Sequence, residues 1–129
     1  MGELTHAVGD DVFKIIAFLI RKPGLSPAQM RTHYETRHLP LARRTFPQII
    51  EHRRNYPQDG GTYFPAGVPA PGWDAISEIW FADRSGFDAM LAFLSDPQRS
   101  AELKQDELEF LDRDKCGMII VEESREAGI

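Results

Sequence analysis

The sequence predicts an α+β fold, in which a four-stranded antiparallel sheet carries its helices on one face. Four short segments rich in β-branched and aromatic residues are typical of strands, and the segments between them carry the capping residues and apolar spacing of helices. Their order along the chain is strand, helix, strand, loop, strand, helix, helix, strand. This order is the split β-α-β arrangement of ferredoxin-like folds.

The first strand is predicted over residues 12–20 (VFKIIAFLI), where near-continuous apolarity favours burial on both faces of the sheet. Residues 23–24 (PG) then predict a turn. In the segment 26–29 (SPAQ), the serine is a candidate N-cap, the proline suits the first helical position and the glutamine completes a capping box. We therefore expect a helix to begin at Pro27.

One row of this helix carries Met30, Tyr34 and His38, which follow each other at a spacing of four residues. His33 lies on a neighbouring row, and we expect it at the surface. Pro40 disfavours helical geometry at the residue before it, so the helix is predicted to break or kink there. The segment 41–47 (LARRTFP) is expected to add only another short turn.

The second strand is predicted over residues 49–56 (IIEHRRNY) and is polar. Because side chains alternate along a strand, its two faces carry different groups. Because the strand is polar, we expect one of its faces to meet solvent, a partner or a wet cavity. His52, Arg54 and Tyr56 share one face, and Glu51, Arg53 and Asn55 share the other.

The loop at residues 57–73 holds four prolines and four glycines, and a loop of this length is usually functional or packed on a partner. The elements that follow it have their own signals. They are a strand at 75–81 (AISEIWF), a helix opened by a capping box of Ser85 and Asp88 with Phe87, Met90, Leu91 and Leu94 on one side, a helix over 97–111 capped by Asp96, and a strand at 117–122 (GMIIVE).

A chain of 129 residues fits one domain, which we place at residues 12–123 between a flexible N-terminal tail (1–11) and a C-terminal tail (124–129). The formal net charge of -5 and the absence of a long Lys/Arg run argue against nucleic-acid binding. The N-terminus lacks the features of a signal peptide, and the longest apolar run, 15–20, is too short for a membrane span. With one cysteine, Cys116, we expect a cytoplasmic protein.

Helices on one face would leave the other face of the sheet uncovered. An uncovered apolar face requires a partner, so we expect a homodimer that pairs through the sheets.

The segment 21–41 (RKPGLSPAQMRTHYETRHLPL), followed by 75–81 (AISEIWF) and 119–123 (IIVEE), resembles the EthD-domain family of the dimeric α+β barrel superfamily. The resemblance covers roughly residues 12–123. Its specific part is Arg-Lys-Pro-Gly-Leu-Ser after a strand, then a helix ending in His-x-Pro-Leu. The histidine of that motif matches His38.

This resemblance implies a dimer with a pocket between the sheet and the helices. Fungal relatives act in aromatic polyketide pathways as decarboxylases or dehydratase-like proteins, and more distant barrel relatives are polyketide cyclases, lactone isomerases and cofactor-free monooxygenases. The shared theme is proton transfer on a hydrophobic, often phenolic, substrate. The resemblance therefore implies a small aromatic ligand and no cofactor.

His38 is the first candidate catalytic residue, because imidazole titrates near neutral pH and serves as a general acid or base. The alternative is a histidine that contacts the last carbonyls of its helix. Tyr34, one turn earlier, is a candidate hydrogen-bond donor to a substrate carbonyl or enolate. Its alternative is a core position on an amphipathic helix.

If the second strand points His52, Arg54 and Tyr56 into the cavity, His52 assists proton transfer, Arg54 binds a carboxylate and Tyr56 contacts substrate. The alternative is an exposed or dimer-facing polar strand. Trp80 is a candidate wall of an aromatic pocket or a core residue. Glu78 beside it is a candidate substrate contact or a partner in an ion pair.

No metal is expected, since His33 and His38 diverge by about 140° on a regular helix. Cys116 is interpreted as an inert thiol, and Asp112 as a second carboxylate or a solvated turn.

Two hypotheses of different class follow. The first is a cofactor-free lyase or isomerase that dehydrates, cyclises or decarboxylates a small aromatic or polyketide-like compound. The second is a non-catalytic binding protein for a hydrophobic metabolite. A cofactor-free monooxygenase is the third.

Overall fold

The fold is known from a computed structural model, which describes residues 12–126. All neighbouring strands of its single four-stranded sheet are antiparallel, in the order β2-β3-β1-β4. This is the predicted ferredoxin-like topology. The strands are β1 (Phe13–Leu19), β2 (Ile49–Asn55), β3 (Ala75–Phe81) and β4 (Gly117–Val121).

The helices pack on one face of this sheet, as predicted, and residues from both layers form the core. The tails predicted at residues 1–11 and 127–129 lie outside the described residues. Within residues 12–126, no helix is both long and apolar enough to cross a membrane. The helical elements are α1 (Pro27–His33), a π-helical turn (Tyr34–His38), α2 (Leu39–Thr45), α3 (Arg84–Leu94), α4 (Ala101–Phe110) and a 3₁₀ turn (Arg113–Lys115).

Helix α1 begins where the sequence predicts. The Ser26 hydroxyl accepts the backbone N–H of Gln29 at 3.1 Å, and the Gln29 side chain accepts the backbone N–H of Ser26 at 2.9 Å. The turn before the helix passes through Gly24 at φ 95°, a conformation that glycine adopts without steric cost. Local side-chain chemistry therefore fixes the start of the helix that carries the candidate site.

Of the break or kink predicted at Pro40, the break does not occur, because the helical path continues through α2 to Thr45. The chain accommodates the proline by widening the turn before it. The backbone N–H of Leu39 bonds to the carbonyl of Tyr34, five residues back, which is the π-helical pattern. The motif read as a helix end is therefore the interior of a longer helical stretch.

Two other helix starts differ from the predictions. Asp83, and not Ser85, caps α3, since its carboxylate accepts the Ser85 N–H at 2.9 Å. Asp96 accepts the N–H of Gln98 at 3.0 Å and caps a turn, but regular helix begins only at Ala101. Within α3, Phe87 and Met90 are buried as predicted, whereas Leu91 is exposed.

The two faces of the sheet are unequal. The face beneath the helices carries Ile15, Ala17 and Ile79, which are buried in the core or line its cavity. The opposite face carries Ile16 and Ile119, whose side chains are partly or well exposed. On the opposite face of β1, Lys14 is buried and Ile16 is only partly buried, so the expected burial of β1 on both faces is met in part.

The loop at residues 57–73 is exposed at every position. At its end, the Trp73 ring packs on Phe18 with ring centroids 4.4 Å apart. Asp74 then accepts the backbone N–H of Arg21 at 2.8 Å and ion-pairs with the Arg21 guanidinium. The loop is thus anchored where it returns to β3.

Candidate active site

A cavity of about 280 Å³ lies between the sheet and the helices, where the resemblance predicted a pocket. Its polar groups lie on two sides, with Tyr34, His38 and His52 at the π-helical turn and β2, and Glu107, Arg113 and Cys116 on and after α4. A small number of polar groups in an apolar cavity is typical of a small-molecule site. Tyr34, His38 and His52 line the cavity together, and its apolar walls include Ala17, Leu19, Ile79, Met90, Leu103 and Met118.

Other depressions lie on the surface formed by residues 12–126. One has a similar volume and is lined by α2 and β2 residues that include Arg43, Glu51 and His52. The other, of about 590 Å³, lies along α4 and contains no histidine. Neither contains Tyr34 or His38, so the cavity beneath the π-helical turn is the candidate site.

The Tyr34 hydroxyl is the centre of one hydrogen-bonded group. It lies 2.6 Å from the Ser77 hydroxyl and 3.1 Å from His52 Nε2. Ser77 is fully buried, and Tyr34 is its sole side-chain partner within residues 12–126. Either hydroxyl can be the donor in this bond. When Ser77 donates, the Tyr34 proton is left for His52 or for a ligand oxygen in the cavity.

Burial controls the protonation of this group. Desolvation raises the pKa of Tyr34 to about 12, although the hydrogen bond to Ser77 opposes the rise, so the phenol keeps its proton at neutral pH. Desolvation, followed by the charges of Arg54 and His38, lowers the pKa of His52 to about 4. At neutral pH, Tyr34 is therefore a hydrogen-bond donor and His52 an uncharged imidazole.

A second group joins the π-helical turn to α4. Asp106 bridges two histidines: His38 Nδ1 lies 2.8 Å from its Oδ2, and His33 Nε2 lies 2.9 Å from its Oδ1. The three side chains are each only 12% or 13% exposed. The prediction that His33 lies at the surface is therefore wrong. Because His38 lies inside a longer helical stretch and bonds to Asp106, it does not cap a helix end.

Arg54 shares a face of β2 with His52, as predicted, and Tyr56 follows directly after the strand, but the structure does not place Arg54 or Tyr56 at the cavity. The Arg54 guanidinium donates two hydrogen bonds to Glu35, at 2.9 and 2.8 Å, and one to the His52 carbonyl at 2.7 Å. The Tyr56 hydroxyl also donates to Glu35, and Arg31 lies over its ring. Their predicted role in binding substrate is not supported, because Glu35 already occupies both groups.

Glu78 and Trp80 were predicted at the pocket, and the structure places both on the opposite face of the sheet. Glu78 ion-pairs with Lys14 at 2.9 Å, which is the alternative the sequence left open. The Trp80 ring lies between the cationic groups of Lys14 and Arg53, 4.5 and 5.0 Å from its centroid. Strand alternation explains why neither residue is at the pocket. Ser77 and Ile79 face the helices, so Glu78 and Trp80 must face away from them.

Three polar residues near the site were not predicted. Asp106 and Glu107 lie three and four residues after the buried Leu103 in α4. Acidic residues at this spacing lie on the buried side of the helix, and this could have marked them as candidate site residues. Glu107 lines the cavity and accepts a hydrogen bond from Arg113 at 2.9 Å. Nothing in the sequence marked Ser77 as a site residue, because a serine within a strand does not by itself indicate a site.

The structure also shows where Asp112 and Cys116 lie relative to the cavity. Asp112, considered as a second carboxylate, does not line the cavity and lies 3.9 Å from Lys115. Cys116 lines the cavity and is half-buried, and burial raises the pKa of its thiol. Within residues 12–126, no group of three or more His, Cys, Asp or Glu side chains is arranged to hold a metal ion.

The Glu35 cluster makes the fold sensitive to acid. Hydrogen bonds from Arg54 hold the pKa of Glu35 down to about 2, below its ordinary 4.5. The ionised carboxylate therefore stabilises the fold fully above pH 4.5, and this contribution disappears as the pH falls toward 2. We expect Glu35→Gln to lower the free energy of unfolding by about 1–2 kcal/mol near pH 6 and to flatten its decline below about pH 4.5.

Urea unfolding at a series of pH values measures this effect. Glu51→Gln is the matched control, because Glu51 pairs with Arg53 on the other face of the same strand, with side chains 36% and 56% exposed. We expect this control to change stability by at most about 0.5 kcal/mol. Equal effects of the two substitutions would contradict the role given to Glu35.

The sheet order and the one-sided helix layer define a ferredoxin-like α+β protein. The EthD domain model matches residues 22–114, and the chain belongs to the EthD domain family. No curated protein matches the chain significantly.

Solved structures agree with this fold. An EthD-like protein from Ralstonia eutropha is 15% identical, with a TM-score of 0.62 over 92% of this chain and 96% of that chain. A dimeric protein of unknown function and ferredoxin-like fold from Bacteroides fragilis is 8% identical, with a TM-score of 0.55 over 89% of this chain and 99% of that chain. At these identities the likeness shows the fold alone.

Two enzymes are among the structural neighbours. A hydroxynitrile lyase from Passiflora edulis is 18% identical, with a TM-score of 0.55 over 90% of this chain and 98% of that chain. SnoaB, a cofactor-independent oxygenase from Streptomyces nogalater, is 12% identical, with a TM-score of 0.51 over 94% of this chain and 100% of that chain. The fold of this chain is therefore one that also occurs in a lyase and an oxygenase.

Proposed function

We propose that the chain is a cofactor-free lyase or isomerase that moves a proton on a small aromatic or polyketide-like substrate. The observation that carries the proposal is the convergence of Tyr34, His38 and His52 on one apolar cavity. Perturbed titratable groups in such a cavity are typical of catalytic sites. Dehydration, cyclisation and decarboxylation all require a proton transfer next to a carbonyl or phenolic oxygen.

Each polar group has a role in this proposal. His38 is the general acid or base, since its ring lines the cavity and imidazole nitrogens can both accept and donate a proton. Tyr34 donates a hydrogen bond to the substrate oxygen, because its phenol keeps its proton at neutral pH. Ser77 and His52, which both lie within hydrogen-bond distance of its hydroxyl, hold the phenol in position. The volume of about 280 Å³ suits a small ring system.

The test is turnover by the wild-type protein of a panel of aromatic β-keto acids and polyphenolic ketones, followed by product analysis and an oxygen electrode. Product formation without oxygen uptake supports the lyase or isomerase. Oxygen uptake with an oxidised product supports a monooxygenase, and saturable binding without product supports a binding protein.

We propose further that two copies pair through the sheet face that the helices leave uncovered. Ile119 is 49% exposed on this face, beside Ile16 in the neighbouring strand. An exposed apolar surface favours a second molecule that covers it.

Light scattering is expected to give twice the chain mass of 14.6 kDa at micromolar concentration. Ile119→Asp places a charge on the proposed interface, so we expect at least a tenfold weaker dimer. Leu108→Asp is the control, because Leu108 is 43% exposed on α4, in the helix layer. A monomeric wild type, or equal weakening by both substitutions, would contradict the pairing.

A further inference from the structure

The hydrogen bonds of Asp106 determine where its two histidines carry their protons. An ionised carboxylate only accepts hydrogen bonds, so His38 Nδ1 and His33 Nε2, at 2.8 and 2.9 Å, must both donate. When His38 is uncharged, its lone pair is therefore on Nε2. That atom makes no hydrogen bond within residues 12–126, and the ring lines the cavity.

The π-helical turn is the reason why one carboxylate reaches both rings. On a regular α-helix, residues five apart diverge by about 140° around the axis. In the π-helical turn the backbone bonds join residues five apart, as between Tyr34 and Leu39. Residues at this spacing then lie nearly one above the other, so His33 and His38 both face Asp106 of α4.

His33 has two contacts that hold this arrangement. Its ring stacks on Phe110 of the same helix α4, with centroids 4.6 Å apart and planes 18° apart. Its Nε2–H occupies the Asp106 oxygen that His38 does not use. With both oxygens bonded, the carboxylate is held in one rotation, and this directs the His38 ring.

His52 lacks such support. Its Nε2 faces the Tyr34 hydroxyl at 3.1 Å, and no carboxylate hydrogen-bonds to it within residues 12–126. A carboxylate at Nδ1 stabilises the imidazolium that forms when Nε2 takes a proton. This stabilisation is available to His38 and not to His52.

We propose that Asp106 and His33 are positioning residues that set the tautomer of His38 and make its Nε2 the proton acceptor of the cavity. This inference rests on the proposed function for its catalytic meaning. Its structural content is independent of any substrate, because the tautomer of His38 is a property of the free protein.

The test is ¹⁵N NMR of the histidine side chains, with Asp106→Ala and the control Glu109→Ala. Glu109 lies in the same helix and pairs with Arg37 of the π-helical turn at 3.7 Å, but its side chain is 43% exposed. We expect the proton of neutral His38 on Nδ1 in the wild type and the control. In Asp106→Ala we expect it mainly on Nε2, which free histidine favours.

The catalytic consequence is measured with a substrate from the panel. We expect Asp106→Ala to lower kcat by on the order of 10²-fold with KM unchanged. His33→Phe keeps the stacking on Phe110 and removes the hydrogen bond, so we expect a smaller loss, about tenfold. Glu109→Ala is expected to leave both constants unchanged.

The outcomes separate the two proposals. If His38 keeps its Nδ1 proton in Asp106→Ala, or lacks it in the wild type, the positioning role is overturned whatever the turnover. If the tautomer reverses while kcat is unchanged, the role in catalysis is overturned. If the wild type turns over no substrate, the proposed function fails, and the NMR result still decides the positioning.

A second variant covers the case in which Asp106→Ala does not fold. Asp106→Asn offers one oxygen to two N–H groups, so at least one of the His33 and His38 rings must reverse its tautomer. Unchanged tautomers in both rings would overturn the proposal.

Discussion

The His38→Ala variant is expected to turn over substrate about 10²- to 10⁴-fold more slowly than the wild type, which is the range for loss of a general acid or base. The fold should persist, because the ring contacts Asp106, Tyr34 and Phe110 at the edge of the cavity and does not belong to the central core cluster. Ligand affinity should change little, since Tyr34 and the apolar walls remain. Single-turnover kinetics and equilibrium binding measure the two effects separately.

Arg37→Ala is the matched control for this variant. Arg37 belongs to the same π-helical turn, but its side chain is 63% exposed, and its ion-pair partner among residues 12–126 is Glu109. We expect wild-type kcat for the control. If His38→Ala loses affinity and kcat alike, or keeps full activity, His38 is a structural residue and His52 becomes the candidate base.

Phe110→Ala is expected to lower the free energy of unfolding by about 3–5 kcal/mol, as for other fully buried aromatic side chains. Phe110 is 0% exposed at the end of α4. Its ring contacts those of His33, Tyr34 and His38, with centroids 4.6, 5.7 and 5.1 Å away. Its removal leaves a void beneath the candidate site, so activity should fall together with stability.

Urea unfolding at a fixed protein concentration measures this loss, because the stability of a dimer depends on concentration. Leu108→Ala, two residues earlier and 43% exposed, is the control and should change stability by about 0.5 kcal/mol or less. A loss below about 1 kcal/mol for Phe110→Ala would contradict its place as the packing centre behind the site.

Sequence patterns between residues close together in the chain were sufficient to predict the fold and part of the candidate site. The capping box of Ser26 and Gln29 fixed the start of α1, and the spacing of Met30, Tyr34 and His38 correctly placed these residues on one face. Such signals depend on neighbours within one helical turn, so one sequence carries them completely. The alternation in β2 likewise predicted which side chains share a face.

Partners distant in sequence were not predictable in the same way. Arg54 and Tyr56 point to the helix side, which was one of two alternatives that the sequence left open, and only the tertiary structure shows that Glu35 binds both. Trp80 and Glu78 were assigned to the pocket because alternation does not say which face of a strand meets the helices. That choice depends on the register between β3 and its neighbours.

The sequence by itself therefore determined the α+β topology, the helix that carries Tyr34 and His38, and their common face. Only the tertiary structure decided that this helix continues past Pro40 through a π-helical turn. The physical reason is that the helix packs on α4, and this contact outweighs the local preference of the residue before a proline. The same packing brings Asp106 between His33 and His38. On a regular α-helix these two residues, five apart in the sequence, would point in different directions.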